Sequence, residues 1–170
     1  MNDTERLREN RLVFYREEIT RIEGMLKELL SLSGAKCALL VDKDGHLVVK
    51  VGQAKGFDLD TVAALVAGSF AATREMARLL GEEEFSVMFH QGKRDHLQLS
   101  LVGDRTILTI IFDEQTTVGM VRLYANEAAK RLTALFDQLT AKGAGRGKVD
   151  LDPDYETSAK DRLEALFPKA

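Results

Sequence analysis

The 170 residues contain one cysteine, Cys37, so a disulfide within the chain is impossible. Cys37 stands in the apolar run AKCALLVD and is expected to pack as a small buried hydrophobe. No apolar stretch approaches the roughly 20 residues that a bilayer-spanning helix needs. The start, MNDTERLREN, is polar and charged, unlike a signal peptide. A cytoplasmic location is therefore expected. A basic surface is missing too. The net charge is −3, with 30% of residues charged, which argues against a nucleic-acid binder.

Residues that carry chemistry are scattered. His46, His90 and His96 sit singly at expected strand ends, and none has another His or Cys at metal-ligand spacing. They read as polar surface residues. Glu82-Glu83-Glu84 precedes a strand and reads as a solvated edge. No serine stands in a G-x-S-x-G elbow. Gly145-Arg146-Gly147-Lys148 superficially suggests a phosphate loop. That loop needs glycine where Lys142 stands and Ser or Thr where Val149 stands. No catalytic residue, metal site or cofactor is expected, and the chain does not read as an enzyme.

What is present is enough apolar material for a core, 45% of residues, in a chain the length of one domain. From Leu12 to Leu32, Leu12, Ile19, Ile22, Met25, Leu26, Leu29 and Leu30 recur at helical spacing, and Gly34 is the expected stop. Residues 35–42 suit a strand buried on both faces. Asp42-Lys43-Asp44-Gly45 is a turn, and HLVVKV (46–51) is the return strand. A second helix is expected from Asp58, its cap, to Leu80, with Gly81 as stop. Strands at 84–90, 96–102 and 105–112 follow, the last apolar enough to be central. A third helix starts near Thr116 or Thr117, with Val118, Val121, Ala125, Ala128, Leu132, Leu135, Phe136 and Leu139 as its stripe.

The order α-β-β-α-β-β-β-α predicts an α/β fold of the α+β sandwich kind. It is a five-stranded, mostly antiparallel sheet with helices on both faces. Residues 1–10 read as a disordered extension. Residues 141–157 read as a flexible, glycine-rich linker. Residues 158–168 read as a short amphipathic helix capped by Ser158 and carrying Leu163, Leu166 and Phe167. Such a helix is marginal alone in water. It needs a groove, either on a partner or on its own domain.

The second helix has more apolar surface than one sheet needs. With Val62 at the centre, Leu59, Val66, Phe70, Thr73, Ala77 and Leu80 cluster on one side, flanked by Leu65, Ser69 and Met76. The opposite side carries Ala64, Ala67, Gly68, Ala71 and Ala72, then Glu75, Arg78 and Leu79. Alanine is a good helix former, which would explain much of this. It does not explain Gly68, which costs on the order of 1 kcal/mol inside a helix. Small residues there let another backbone approach, and exposed apolar faces tend to be interfaces.

The segments ALLVDKDGHLV (38–48), LDTVAALVAGSFAAT (59–73), ARLLGEEEF (77–85), FHQGKRDHLQLSLVG (89–103) and LTIIFDEQTTVGMVRL (108–123) together resemble the Roadblock-domain family, and within it the bacterial MglB group. The resemblance implies that residues 11–140 form a Roadblock domain. It implies a homodimer made through edge strands and the helix between the second and third strands. It further implies a Ras-like small GTPase of the MglA type as partner. The activity implied is stimulated GTP hydrolysis, with nucleotide exchange promoted by the tail helix, in the control of cell polarity and gliding motility. The GTPase's own catalytic residues would be repositioned, with no inserted arginine. The implied partner face includes Ala67, Gly68, Ala71 and Glu75, and the implied location is the cytoplasm with enrichment at a pole. The alternative is a non-catalytic dimeric scaffold that binds its partner without altering hydrolysis.

Overall fold

The computed structural model describes Phe14 and residues 16–146. The expected N-terminal extension, Leu12, most of the linker and the tail residues Leu163, Leu166 and Phe167 lie outside the described residues. The chain divides into two compact units, Met1–Phe136 and Asp137–Ala170.

In chain order the elements are α1 (Arg16–Ser33), β1 (Cys37–Asp42), β2 (Leu47–Gly52), α2 (Leu59–Leu79), β3 (Val87–Gln91), β4 (His96–Val102), β5 (Thr106–Phe112) and α3 (Val118–Arg146). The local signals explain the boundaries. Gly34 ends α1 at φ +72 and donates its N–H to the Leu30 carbonyl, at 3.0 Å. Asp58 caps α2 by accepting from the Thr61 N–H at 3.2 Å and from the Thr61 hydroxyl at 2.6 Å. Past the other end of α2, Gly81 takes φ +80 and Glu82 donates its N–H to the Ala77 carbonyl. Thr117 opens α3, accepting from the Met120 N–H on its hydroxyl at 3.3 Å.

The five strands lie in the order β2-β1-β5-β4-β3, and every neighbouring pair is antiparallel. The sheet is thus wholly rather than mostly antiparallel. β5 is central and buried at all seven positions, as its composition predicts. β2 and β3 are the two edges, and α2 links them. Crossing five strands at about 4.8 Å each takes about 19 Å. A helix of 21 residues, about 31 Å long, covers that span.

Side chains alternate across the sheet. Cys37, Leu39, Val41 and Ile111 pack with Leu59 and Ala63 of α2, and Leu99 and Ile107 pack with Val66 and Phe70. The other face carries Ala38, Leu40, Leu108, Ile110 and Phe112, all buried. α1 and α3 cover it with Ile22, Leu26, Leu29, Val121, Ala125, Ala128 and Leu132. An Arg131–Glu28 ion pair at 2.6 Å joins the two helices.

Three expectations need correction. β3 begins at Val87, not at residue 84, because Glu84 turns aside to pair with Arg74 of α2, Nε to Oε1 at 3.0 Å. α3 continues to Arg146, into the stretch expected to be linker. Gly143 and Gly145 each cost about 1 kcal/mol there. Extending an existing helix is far easier than starting one, so two glycines among helix formers do not stop it. Finally, His96 is not a plain surface residue. Its ring lies 5.2 Å from that of Phe112 and 6.1 Å from that of Phe89, and its Nδ1 accepts from the Gly92 N–H.

Candidate partner-binding face

The outer side of α2 is built from residues that the sheet does not use. The inner side is centred on Ala63, Phe70 and Ala77, which are buried, with Leu59 and Val66 beside them. The small side chains at Ala63 and Ala77 bring the helix down onto that line. The packed centre is therefore turned about 70° from Val62, toward Ala63 and Ala67. The turn of the helix corrects two sets of expectations. Ala67, expected on the outer face, is 7% exposed and belongs to the packed side. Leu65, Met76 and Leu80, expected on or beside the sheet, are exposed.

Ala64, Gly68, Ala71, Ala72 and Glu75 do lie on the exposed side. An added Cβ at Gly68 would meet nothing within 4 Å, so the domain's own packing does not require glycine there. Leu65, at 69% exposure, and Leu79, at 88%, flank this strip with Met76, and Leu80 follows at the cap. Glu75 and Arg78 form an exposed pair at 3.2 Å along it. The result is a small-residue floor flanked by large apolar side chains, with one paired charge of each sign. Leu79 is exposed on the outer side where it is expected, whereas Leu65 and Met76, expected beside the sheet, join it there. Their signal was available: residues 65, 68, 72, 76 and 79 recur at helical spacing opposite Ala63 and Phe70.

One part of the small-residue strip serves the domain itself. Gly45, in the β1–β2 turn, sits over α2 at φ +92. A Cβ built on it would stand 3.0 Å from the Ala64 Cα and 3.7 Å from the Ala67 Cβ. The turn therefore needs small residues at these two positions, and Gly68, Ala71 and Ala72 remain without an internal reason.

The same turn brings Asp42, Asp44 and His46 together, with ligand atoms within 4.8 Å of one another. Asp42 is committed within the turn: its carboxylate accepts from the His46 backbone N–H at 2.8 Å and lies 3.1 Å from the His46 ring. Nothing further marks this exposed group as a metal site. Elsewhere, burial pushes the Cys37 thiol above its ordinary value, opposed by the Lys50 charge, so Cys37 is packing and not a nucleophile. No helix among the described residues is long and apolar enough to cross a membrane.

Residues 21–112 match the Roadblock/LC7 domain family, from α1 through the end of β5. The chain belongs to the Roadblock/LC7 family. The solved structure of Myxococcus xanthus MglB is 40% identical, with a TM-score of 0.69, over 71% of this chain and 98% of that one. The gliding protein MglB of Thermus thermophilus is 36% identical, with a TM-score of 0.72, over 75% of this chain and 96% of that one. An uncharacterised protein of Methanocaldococcus jannaschii is 26% identical over 68% of this chain and 99% of its own length. The Roadblock match includes all of α2, so the exposed face stands on the shared part of the fold. It stops before α3, which the MglB likeness extends into.

Proposed function

We propose that this chain regulates a Ras-like small GTPase of the MglA type, binding it through the outer face of α2 and stimulating its GTP hydrolysis. The observation that carries the reading is the unpacked strip Gly68-Ala71-Ala72, flanked by Leu65, Met76 and Leu79, on a chain 40% identical to an MglB. A floor of small residues lets a partner's backbone come close, and the flanking leucines and methionine supply apolar area to bury. The regulator supplies no catalytic group of its own. It acts by repositioning the GTPase's catalytic residues, in control of cell polarity and motility, from the cytoplasm and enriched at a pole.

The working unit is a homodimer. The outward edge of β3 supports this, since it leaves a ladder of backbone groups with no neighbouring strand among the described residues and Val87 exposed beside it. The tail, residues 158–168, docks on the GTPase through Leu163, Leu166 and Phe167 and promotes exchange.

The test is GTP turnover by a Ras-like GTPase from the same genome, with and without the purified chain. Faster hydrolysis supports the reading, and an unchanged rate with a verified active GTPase sinks it. Binding without a rate change would favour the scaffold alternative. Gly68→Arg and Ala71→Arg abolish binding if α2 is the interface; full binding by both moves it elsewhere. Light scattering reports the oligomer, and a monomer at micromolar concentration contradicts the dimer. Truncation after Val149 weakens GTPase binding or removes exchange, and wild-type behaviour in both overturns the role given to the tail.

A further inference from the structure

β3 is an edge strand, and the charges left free at its two ends differ in sign. Glu82, Glu83 and Glu84 stand just before it, and Lys93, Arg94 and Asp95 just after it. Two of these six are spent inside the domain. Glu84 accepts from Arg74 of α2, and Asp95 accepts from Lys36 at 2.8 Å. Glu82, Glu83, Lys93 and Arg94 are exposed, and their side chains pair with no described residue. The end that enters β3 is thus left with two negative charges, and the end that leaves it with two positive ones.

The backbone fixes which groups look outward. The Ser86 carbonyl accepts the Leu101 N–H at 2.8 Å, so Ser86, Met88 and His90 turn their backbone groups to β4. Val87, Phe89 and Gln91 turn theirs away from the sheet, where no described strand takes them. A second copy can take them through a two-fold axis normal to the sheet. Such an axis runs the two β3 strands antiparallel and keeps both copies of α2 on one side. Placed at Met88 it pairs residues 86–90 with their counterparts, and placed at Phe89 it pairs residues 87–91. Carried past the strand ends, the first register sets Glu83 opposite the partner's Lys93 and Glu82 opposite the partner's Arg94. In the second the same two pairs are diagonal, about 7–8 Å apart and within reach of long side chains. Parallel pairing would set like charge against like.

We propose that these end charges select a second copy of this chain as the partner of β3 and hold it antiparallel. Glu82 and Glu83 of each copy meet Lys93 and Arg94 of the other, twice across the axis. This pairing rests on the homodimer reading and adds the groups that align the interface. A foreign edge strand carrying like charge at either end meets repulsion there.

The test uses two charge-reversed full-length variants, Glu82→Lys with Glu83→Lys and Lys93→Glu with Arg94→Glu, followed by sedimentation alone and mixed. Alone, each places like charges together at both ends of the joint, and its dimer should be at least about tenfold weaker than the parent's. Mixed in equal amounts, the two should form a dimer of parent strength, since each end then meets its opposite. Raising salt from about 0.05 M to about 0.5 M should weaken the parent dimer and strengthen that of each variant. Parent-like dimers of both variants alone overturn the charge pairing and leave the homodimer standing. Weak dimers that mixing does not restore overturn it as well, because the reversals then act by another route. A parent dimer that salt does not weaken overturns it without any substitution. A parent chain that is monomeric at micromolar concentration overturns the homodimer reading and this pairing with it.

Discussion

Gly45 and Ala64 meet so closely that a methyl group on the Gly45 α-carbon would stand 3.0 Å from the Ala64 Cα, at a backbone φ of +92. The contact fastens the β1–β2 turn to α2. Gly45→Ala therefore meets both a strained φ and a backbone atom that cannot swing aside. A loss of roughly 2 kcal/mol in unfolding free energy is expected, measurable by urea titration. Stability within 0.5 kcal/mol of the parent would refute the contact.

The exposed strip of α2 predicts opposite signs for stability and binding. Gly68 has open space where a Cβ would go, so Gly68→Ala should stabilise the isolated protein by about 1 kcal/mol. The same methyl should weaken GTPase binding if a partner backbone closes on this point. Leu79→Lys should leave stability within about 0.5 kcal/mol, since Leu79 is 88% exposed, while reducing binding. Loss of stability in either variant would mean that the strip serves the fold after all.

Acid should loosen α2 at its start. The Thr61 hydroxyl, helped by the Thr61 N–H, holds the Asp58 carboxyl below its ordinary value of 3.8. A depressed pKa contributes stability above 3.8, and that contribution disappears as pH falls through the lower folded value. Asp113 adds to the same trend: the Gln115 N–H lowers it first, against the cost of burial, and Lys36 at 3.4 Å lowers it further. Lys36 is raised above 10.5, chiefly by its 2.8 Å bond to Asp95, so its contribution is full below 10.5 and is lost only in stronger alkali. The melting temperature of Asp58→Ala should lie below the parent at pH 7, with the gap closing as the pH falls below 3.8. A gap that stays constant with pH would remove the ionised carboxylate from the explanation.

Thr109 stands in the centre of β5, fully buried, with its hydroxyl unpaired among the described residues. Valine has the same shape without the polar atom. Thr109→Val should raise unfolding free energy by about 1 kcal/mol or more, seen as a higher melting temperature. A lower one would show that the hydroxyl has a partner in solution.

Most of the fold was legible in the sequence because local chemistry sets it. The apolar run TILTIIF suits a strand covered on both sides, and it is the central one. Gly34, Gly45 and Gly81 stop or turn the chain at positive φ where only glycine is at ease. Asp58 and Thr117 cap the helices that follow them. The site was less legible. A helical wheel shows that α2 has two faces but does not fix the line on which the sheet presses. Ala63 and Ala77 are small enough to carry that line away from Val62, which buries Ala67 and exposes Leu65 and Met76.

By itself the sequence determined the order of elements, the caps and turns, the central strand and an apolar excess on α2, since all of these depend on neighbours within a few residues. Tertiary structure alone decided which side of α2 is left over, why Ala64 must be small, and that Gln98 on β4 ends buried. Each of those depends on where a distant segment comes to rest: the β1–β2 turn on α2, the sheet against Ala63, and α3 beyond Ser100. No local pattern encodes that distance.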